Sequence, residues 1–103
     1  MEKLQRDEKL LEIGKALGAP SPNAYELTFV FGVISPSVLT VYKTDDGMYK
    51  ARLTFYDGEG QFWETSLKAK SVHMALLALV WGAPHDLRDE LRKLAKKAKE
   101  VEG

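Results

Sequence analysis

The sequence predicts an α+β fold, with an antiparallel sheet of four strands (alternatively three) and a helix packed across it, in the order α-β-β-β-β-α-α. Three observations predict it. Residues 38 to 66 hold short runs in which apolar and polar side chains alternate. Asp46-Gly47 and Asp57-Gly58 sit between those runs, as tight hairpin turns require. Residues 67 to 81 then switch to a helical period with a wide apolar surface, suited to lying on a sheet. At 103 residues the chain reads as a single domain, 1–103, with a modest core.

The elements follow in order. Glu2 to Leu17 reads as a helix, with Leu10, Ile13 and Leu17 on one face and Leu4 and Leu11 near it; Gly18 stops it. Ala19-Pro20-Ser21-Pro22-Asn23 is a rigid connection. Between Ala24 and Ile34, Tyr25, Leu27, Phe29, Phe31 and Val33 alternate as in a strand, and the Tyr, Thr, Phe and Val content agrees. The alternative is a helix over Pro22–Gly32, because Leu27, Val30, Phe31 and Ile34 also fit a helical stripe. Val38–Lys43 and Met48–Tyr56 are strands joined by Thr44-Asp45-Asp46-Gly47. In the second, Tyr49, Ala51, Leu53 and Phe55 oppose Lys50, Arg52 and Thr54. The turn Asp57-Gly58-Glu59-Gly60 leads to a strand over Gln61–Ser66, with Phe62 and Trp63 on opposite faces. Leu67 to Trp81 is the sheet-packing helix; Val72, Ala75, Leu76, Leu79 and Val80 form its stripe, broadened by Met74 and Leu77. Gly82 ends it. The last helix starts near Ala83-Pro84-His85-Asp86, with Asp86 as its N-cap and Leu87, Leu91, Leu94, Ala98 and Val101 as its seam.

Composition narrows the function. Fifteen basic side chains balance fifteen acidic ones, which disfavours tight, purely electrostatic binding of nucleic acid. The strand region is net acidic and the C-terminal third net basic. With no cysteine there is no disulfide, thiolate chemistry or Cys-ligated zinc. His73 and His85 stand in no metal-ligand spacing, and no glycine loop is followed by Lys-Ser/Thr as phosphate binding requires. The expectation is therefore no catalytic residue, no metal and no cofactor. No signal peptide or spanning stretch is visible, so a cytoplasmic or, for a designed chain, recombinant setting and no membrane partner are expected.

Gly58-Glu59-Gly60, followed by Thr65-Ser66-Leu67-Lys68-Ala69-Lys70, resembles the end of a double-stranded-RNA-binding domain. There a glycine-rich turn leads to a last strand and then to a Ser-Lys-Lys-x-Ala-Lys helix start. On that alignment Thr65 takes the serine's place, Ala69 and Lys70 match, and Ser66 and Leu67 replace two lysines. The resemblance covers residues 22 to 81. It implies Pro22–Gly32 as a first helix, Glu26 as a ribose contact, and Lys68 and Lys70 as phosphate contacts at a helix N-terminus. Arg88 and Arg92, on the basic stripe of the last helix, would extend such a surface. The family's Gly-Pro-x-His loop is replaced by Thr44-Asp45-Asp46-Gly47, whose carboxylates repel phosphate. In an antiparallel meander this hairpin lies at the same end of the sheet as Lys68 and partly neutralises it. The terminal helix, rich in Leu, Ala, Lys, Arg and Glu, and the short turns also resemble de novo designed α+β proteins.

The functional expectation is a non-catalytic binding or interaction module with a protein partner. The alternatives are a double-stranded-RNA-binding-like domain with weakened RNA contacts and a designed scaffold without natural function. Tyr42, Tyr56 and Trp63 are assigned to the sheet's second face, where a terminal helix is expected to cover them. The oligomeric state is left open.

Overall fold

The structure, a computed structural model, describes residues 4–32 and 36–103. Helix α1 (Glu8–Leu17) is followed by strands β1 (Glu26–Phe31), β2 (Ser37–Lys43), β3 (Tyr49–Tyr56) and β4 (Phe62–Ala69). Helix α2 (Val72–Leu79), a 3-10 turn (Val80–Gly82) and helix α3 (His85–Glu102) complete the chain order. The sheet is an antiparallel meander with strand order β1-β2-β3-β4, so the α+β expectation with four strands holds.

Cross-strand pairs place Leu27, Val41, Ala51 and Leu67 in one row of one face, and Phe29, Leu39, Leu53 and Thr65 in the next. Side chains from all three helices join these rows in one core: Leu10 and Ile13 of α1, Val72, Leu76 and Leu79 of α2, and Leu91 and Ala98 of α3. The helices therefore share one side of the sheet, and α2 lies over β3 and β4. Gly14 lets α1 approach the sheet: a Cβ there would stand 2.7 Å from Leu27 Cδ2.

Residues 26–31 are a strand paired with β2, which removes the helix alternative over Pro22–Gly32. Period-two burial of Leu27 and Phe29 wins over the weaker helical stripe. Val33 and Ile34 lie outside the described residues. Helix α1 starts at Glu8 rather than Glu2, because Asp7 is an extended N-cap accepting from the Lys9 N–H; residues 1–3 lie outside the described range.

The largest correction concerns Leu67–Lys70. The sequence pattern starts a helix there, yet Leu67 pairs with Ala51, Lys68 with Lys50 and Ala69 with Tyr49. β4 thus runs past Ser66, and α2 begins only after Ser71, whose side chain caps the Met74 N–H. Helix propensity at Leu-Lys-Ala-Lys, worth only tenths of a kcal/mol per residue, yields to cross-strand pairing. At the start of α3 the N-cap is Pro84, and Asp86 falls inside the first turn. Ala95 rather than Val101 completes the buried seam of that helix.

Candidate interaction surface

The four strands leave β4 with one neighbour, and its two edges can be told apart from the turn hydrogen bonds. Thr44 N–H donates to Met48 O at 2.8 Å, and Asp57 N–H donates to Gln61 O at 3.0 Å. Hydrogen-bonded and non-bonded pairs alternate along an antiparallel ladder. Counting from these turns, Trp63, Thr65, Leu67 and Ala69 turn their backbone groups toward β3. Phe62, Glu64, Ser66 and Lys68 turn theirs outward. No described strand lies beyond them, so this edge presents the unpaired N–H and C=O groups that strand addition uses.

Exposed apolar side chains flank that edge on both faces. On the helix side, Trp63 and Leu67 stay 48% and 42% exposed. Met74, Leu77 and Trp81 form a second ridge along α2 and the 3-10 turn; Trp81 is 81% exposed. The C-terminal end of this ridge meets β4. Gly82 abuts Thr65, so closely that a Cβ there would stand 2.9 Å from Thr65 Oγ1, and Thr65 lies between Trp63 and Leu67 on that face of β4. On the other face Tyr56 and Phe62 stack edge to face at 5.5 Å. The remaining exposed large apolar residues are Leu4 before α1, Tyr25 at the β1 entry, Val30 on β1 and Val101 on α3. A concentration of exposed apolar residues around one edge marks an interaction site more often than scattered single residues do.

Polar contacts hold the edge in place. The Asp57 carboxylate accepts from Glu59 N and Gln61 N, each at 2.9 Å, and from Trp63 Nε1 at 3.0 Å. The indole hydrogen bond, then the turn amides, hold this carboxyl below its usual range. Glu64 lies 3.9 Å from Arg52 Nε. Lys68 Nζ lies 3.3 Å from Asp46 Oδ2, and Asp46 is held low first by the Thr44 hydroxyl and also by Lys68. The hairpin aspartate and the lysine are thus neighbours at one end of the sheet.

The basic residues singled out in the sequence do not converge. Lys68 stands on the open face of β4 and Lys70 just beyond that strand, neither within a helix. Arg88 Nε donates to Ala83 O at 3.2 Å, and Ala83 and Pro84 line an open cleft with Tyr56 and Asp57, at the opposite end of β4 from Asp46. Arg92 pairs with Asp89 at 3.1 Å on α3. The second face of the sheet is not covered by a described helix, contrary to expectation, because the core seams of all three helices face the other side. Tyr42 is buried there among its strand neighbours, with Arg52 5.9 Å from its ring centroid. Trp63 is on the helix side instead, since the register pairs Tyr56 with Phe62 and so puts Phe62 on the second face.

One cluster has the membership of a catalytic triad without its geometry. His73 Nδ1 lies 2.9 Å from Glu102 Oε1 and 3.2 Å from Ser71 Oγ. A relay needs the nucleophile and the carboxylate on opposite ring nitrogens; here both meet the same one. Glu102 also accepts from Val72 N and His73 N, each at 2.9 Å, while Ser71 caps Met74 N. The cluster fastens α3 to the start of α2. Among the described residues no group of three or more His, Asp and Glu is placed to hold a metal ion, and no helix is long and apolar enough to cross a membrane.

The sequence reading missed Met74, Leu77 and Trp81 as exposed residues. Their spacing of three and four positions was the available signal: it lays a second apolar stripe opposite Val72, Leu76 and Leu79, and a helix apolar all round needs cover on both sides. Compared with protein-family models, curated proteins and solved structures, the chain matches none.

Proposed function

We propose that this chain is a non-catalytic protein-interaction module that docks an extended segment of its partner along β4. The observation that supports this most is the unpaired edge at Glu64, Ser66 and Lys68, set between exposed Trp63, Leu67 and Trp81 on one face and Phe62 on the other. Backbone groups of the edge supply affinity, and the apolar side chains beside it supply pockets for alternate residues of the added strand. Aromatic anchors at the centre of such a patch carry most of the binding energy in known interfaces. The acidic partner of Lys68 and the separation of Lys68 from Arg88 favour this reading over a duplex-RNA surface.

The test is selection from a display library of short random peptides, followed by affinity measurement with variants. Extended peptides with alternating apolar residues are expected. Trp81→Ala, which removes an almost uncovered side chain, should weaken them at least roughly tenfold, a loss typical of an interface aromatic. Tyr25→Ala, on the far side of the sheet, should leave them unchanged. A library that enriches nothing, or peptides indifferent to Trp81, would refute the reading. Gel shift with duplex RNA at two salt concentrations checks the alternative, because phosphate-driven binding must fall steeply with salt.

A further inference from the structure

The β4 edge is complementary to itself, and from this we infer that its partner is a second copy of the same chain. This rests on the reading of β4 as a docking edge and names the strand that docks. Consider two copies related by a two-fold axis through Ser66, perpendicular to the sheet. The outward backbone groups of Ser66 then meet those of Ser66 in the other copy. Glu64 of each copy faces Lys68 of the other, twice over, because the register pairs residues whose numbers are symmetric about 66. Each new pair extends an existing one: Lys68 already meets Asp46, and Glu64 already lies near Arg52. The result is a chain of ion pairs, Asp46, Lys68, Glu64 and Arg52, that alternates in sign across the joint, with Lys50 also opposite Lys68 beside it. A slip of four residues toward the turn, which moves the axis to Glu64, would instead face Glu64 with Glu64, so the charges select against that register.

The helix side fits the same joint. Leu67 would face Thr65 of the other copy and lie diagonal to its Leu67, and the bulky Trp63 would face the small Ala69. Helix α2 lies over both β3 and β4, on the side of the sheet next to the joint. The two α2 helices would then lie on the same side of the joined sheet, one on each side of the axis. The joined sheet is continuous, and all helices lie on one side of it.

The test uses the full chain in sedimentation equilibrium and light scattering. The wild type should be a dimer. Glu64→Lys places lysine opposite lysine, and Lys68→Glu places glutamate opposite glutamate; each should raise the dimer dissociation constant by at least roughly tenfold. An equimolar mixture of these two variants should re-form a dimer, now of unlike chains, because every facing pair is again opposite in charge. Ser66→Pro removes an outward N–H that no described strand of the same chain uses, so it should keep the fold by circular dichroism and abolish the dimer. A monomeric wild type, a dimer insensitive to both charge reversals, or a mixture that stays monomeric would each overturn the inference. If the chain is monomeric yet selected peptides still bind through Trp81, self-pairing fails and the docking reading stands. If neither copies nor peptides engage β4, both fail.

Discussion

Replacing Glu102 tests how firmly the helical layer is locked. Its side chain is 7% exposed, and its carboxylate accepts from Val72 N, His73 N and His73 Nδ1, each at 2.9 Å. The first N–H groups of any helix lack intrahelical acceptors, and here a residue one helix away in the chain supplies them. Glu102→Ala leaves two amide donors and the imidazole without that acceptor. An unsatisfied buried group costs about 1–3 kcal/mol, and water reaching the half-buried His73 recovers part of it, so a net loss of about 2–4 kcal/mol follows. Glu102→Gln keeps a carbonyl acceptor but loses the charge at the positive end of α2, for a smaller loss of about 1–2 kcal/mol. Urea unfolding should show the midpoint falling in the order wild type, Gln, Ala with an unchanged slope, the signature of a change in stability alone. If the Ala variant stays within about 0.5 kcal/mol of wild type, the normal range for an uninvolved surface site, the last turn of α3 does not cap α2 and the reasoning is wrong.

Three further outcomes are expected. Gly82→Ala should cost about 1 kcal/mol by pressing on Thr65 Oγ1, and Thr65→Ala should relieve most of that cost in a double-mutant cycle. Tyr49 donates to Asp7, and its phenol is raised above its ordinary value, first by burial and then by that carboxylate. A raised folded-state value means that this contribution is complete below the unfolded phenol's titration, near pH 10, and is lost as pH rises above it. Alkaline melts should therefore fall less steeply for Tyr49→Phe than for wild type. Asp57 has the opposite sign: its depressed carboxyl contributes above the ordinary carboxylate range and loses that contribution as pH falls through it. The Trp63 indole N–H resonance should shift in that acidic window, and Asp57→Asn should abolish the shift.

The meander was legible because Asp-Gly turns and strict alternation in residues 48–56 act over a few residues, and the register then follows from turn length. The end of β4 was not. Ser66-Leu67-Lys68-Ala69 is acceptable to a helix on local grounds, and only pairing with Lys50 and Ala51 keeps it extended. The same boundary shift moved Lys68 from a helix start to the open face of a strand, which changed the reading of the basic residues. The interaction surface was half legible. The aromatics could be counted, but their faces depend on the parity of the β3–β4 register, and an error of one position exchanges Phe62 for Trp63. The Glu102 cap left no local signal, since its acceptor and donors are separated by the whole of α3.

Amide hydrogen exchange along the two sheet edges tests the docking claim most directly. Glu64, Ser66 and Lys68 should exchange rapidly in dilute solution and slow markedly when the chain is concentrated or saturated with a selected peptide. Thr28 and Val30, on the outer edge of β1 by the same alternation, should remain fast throughout. Edge amides of β4 that stay fast under both conditions, or protection that appears on β1 or α3 instead, would contradict it.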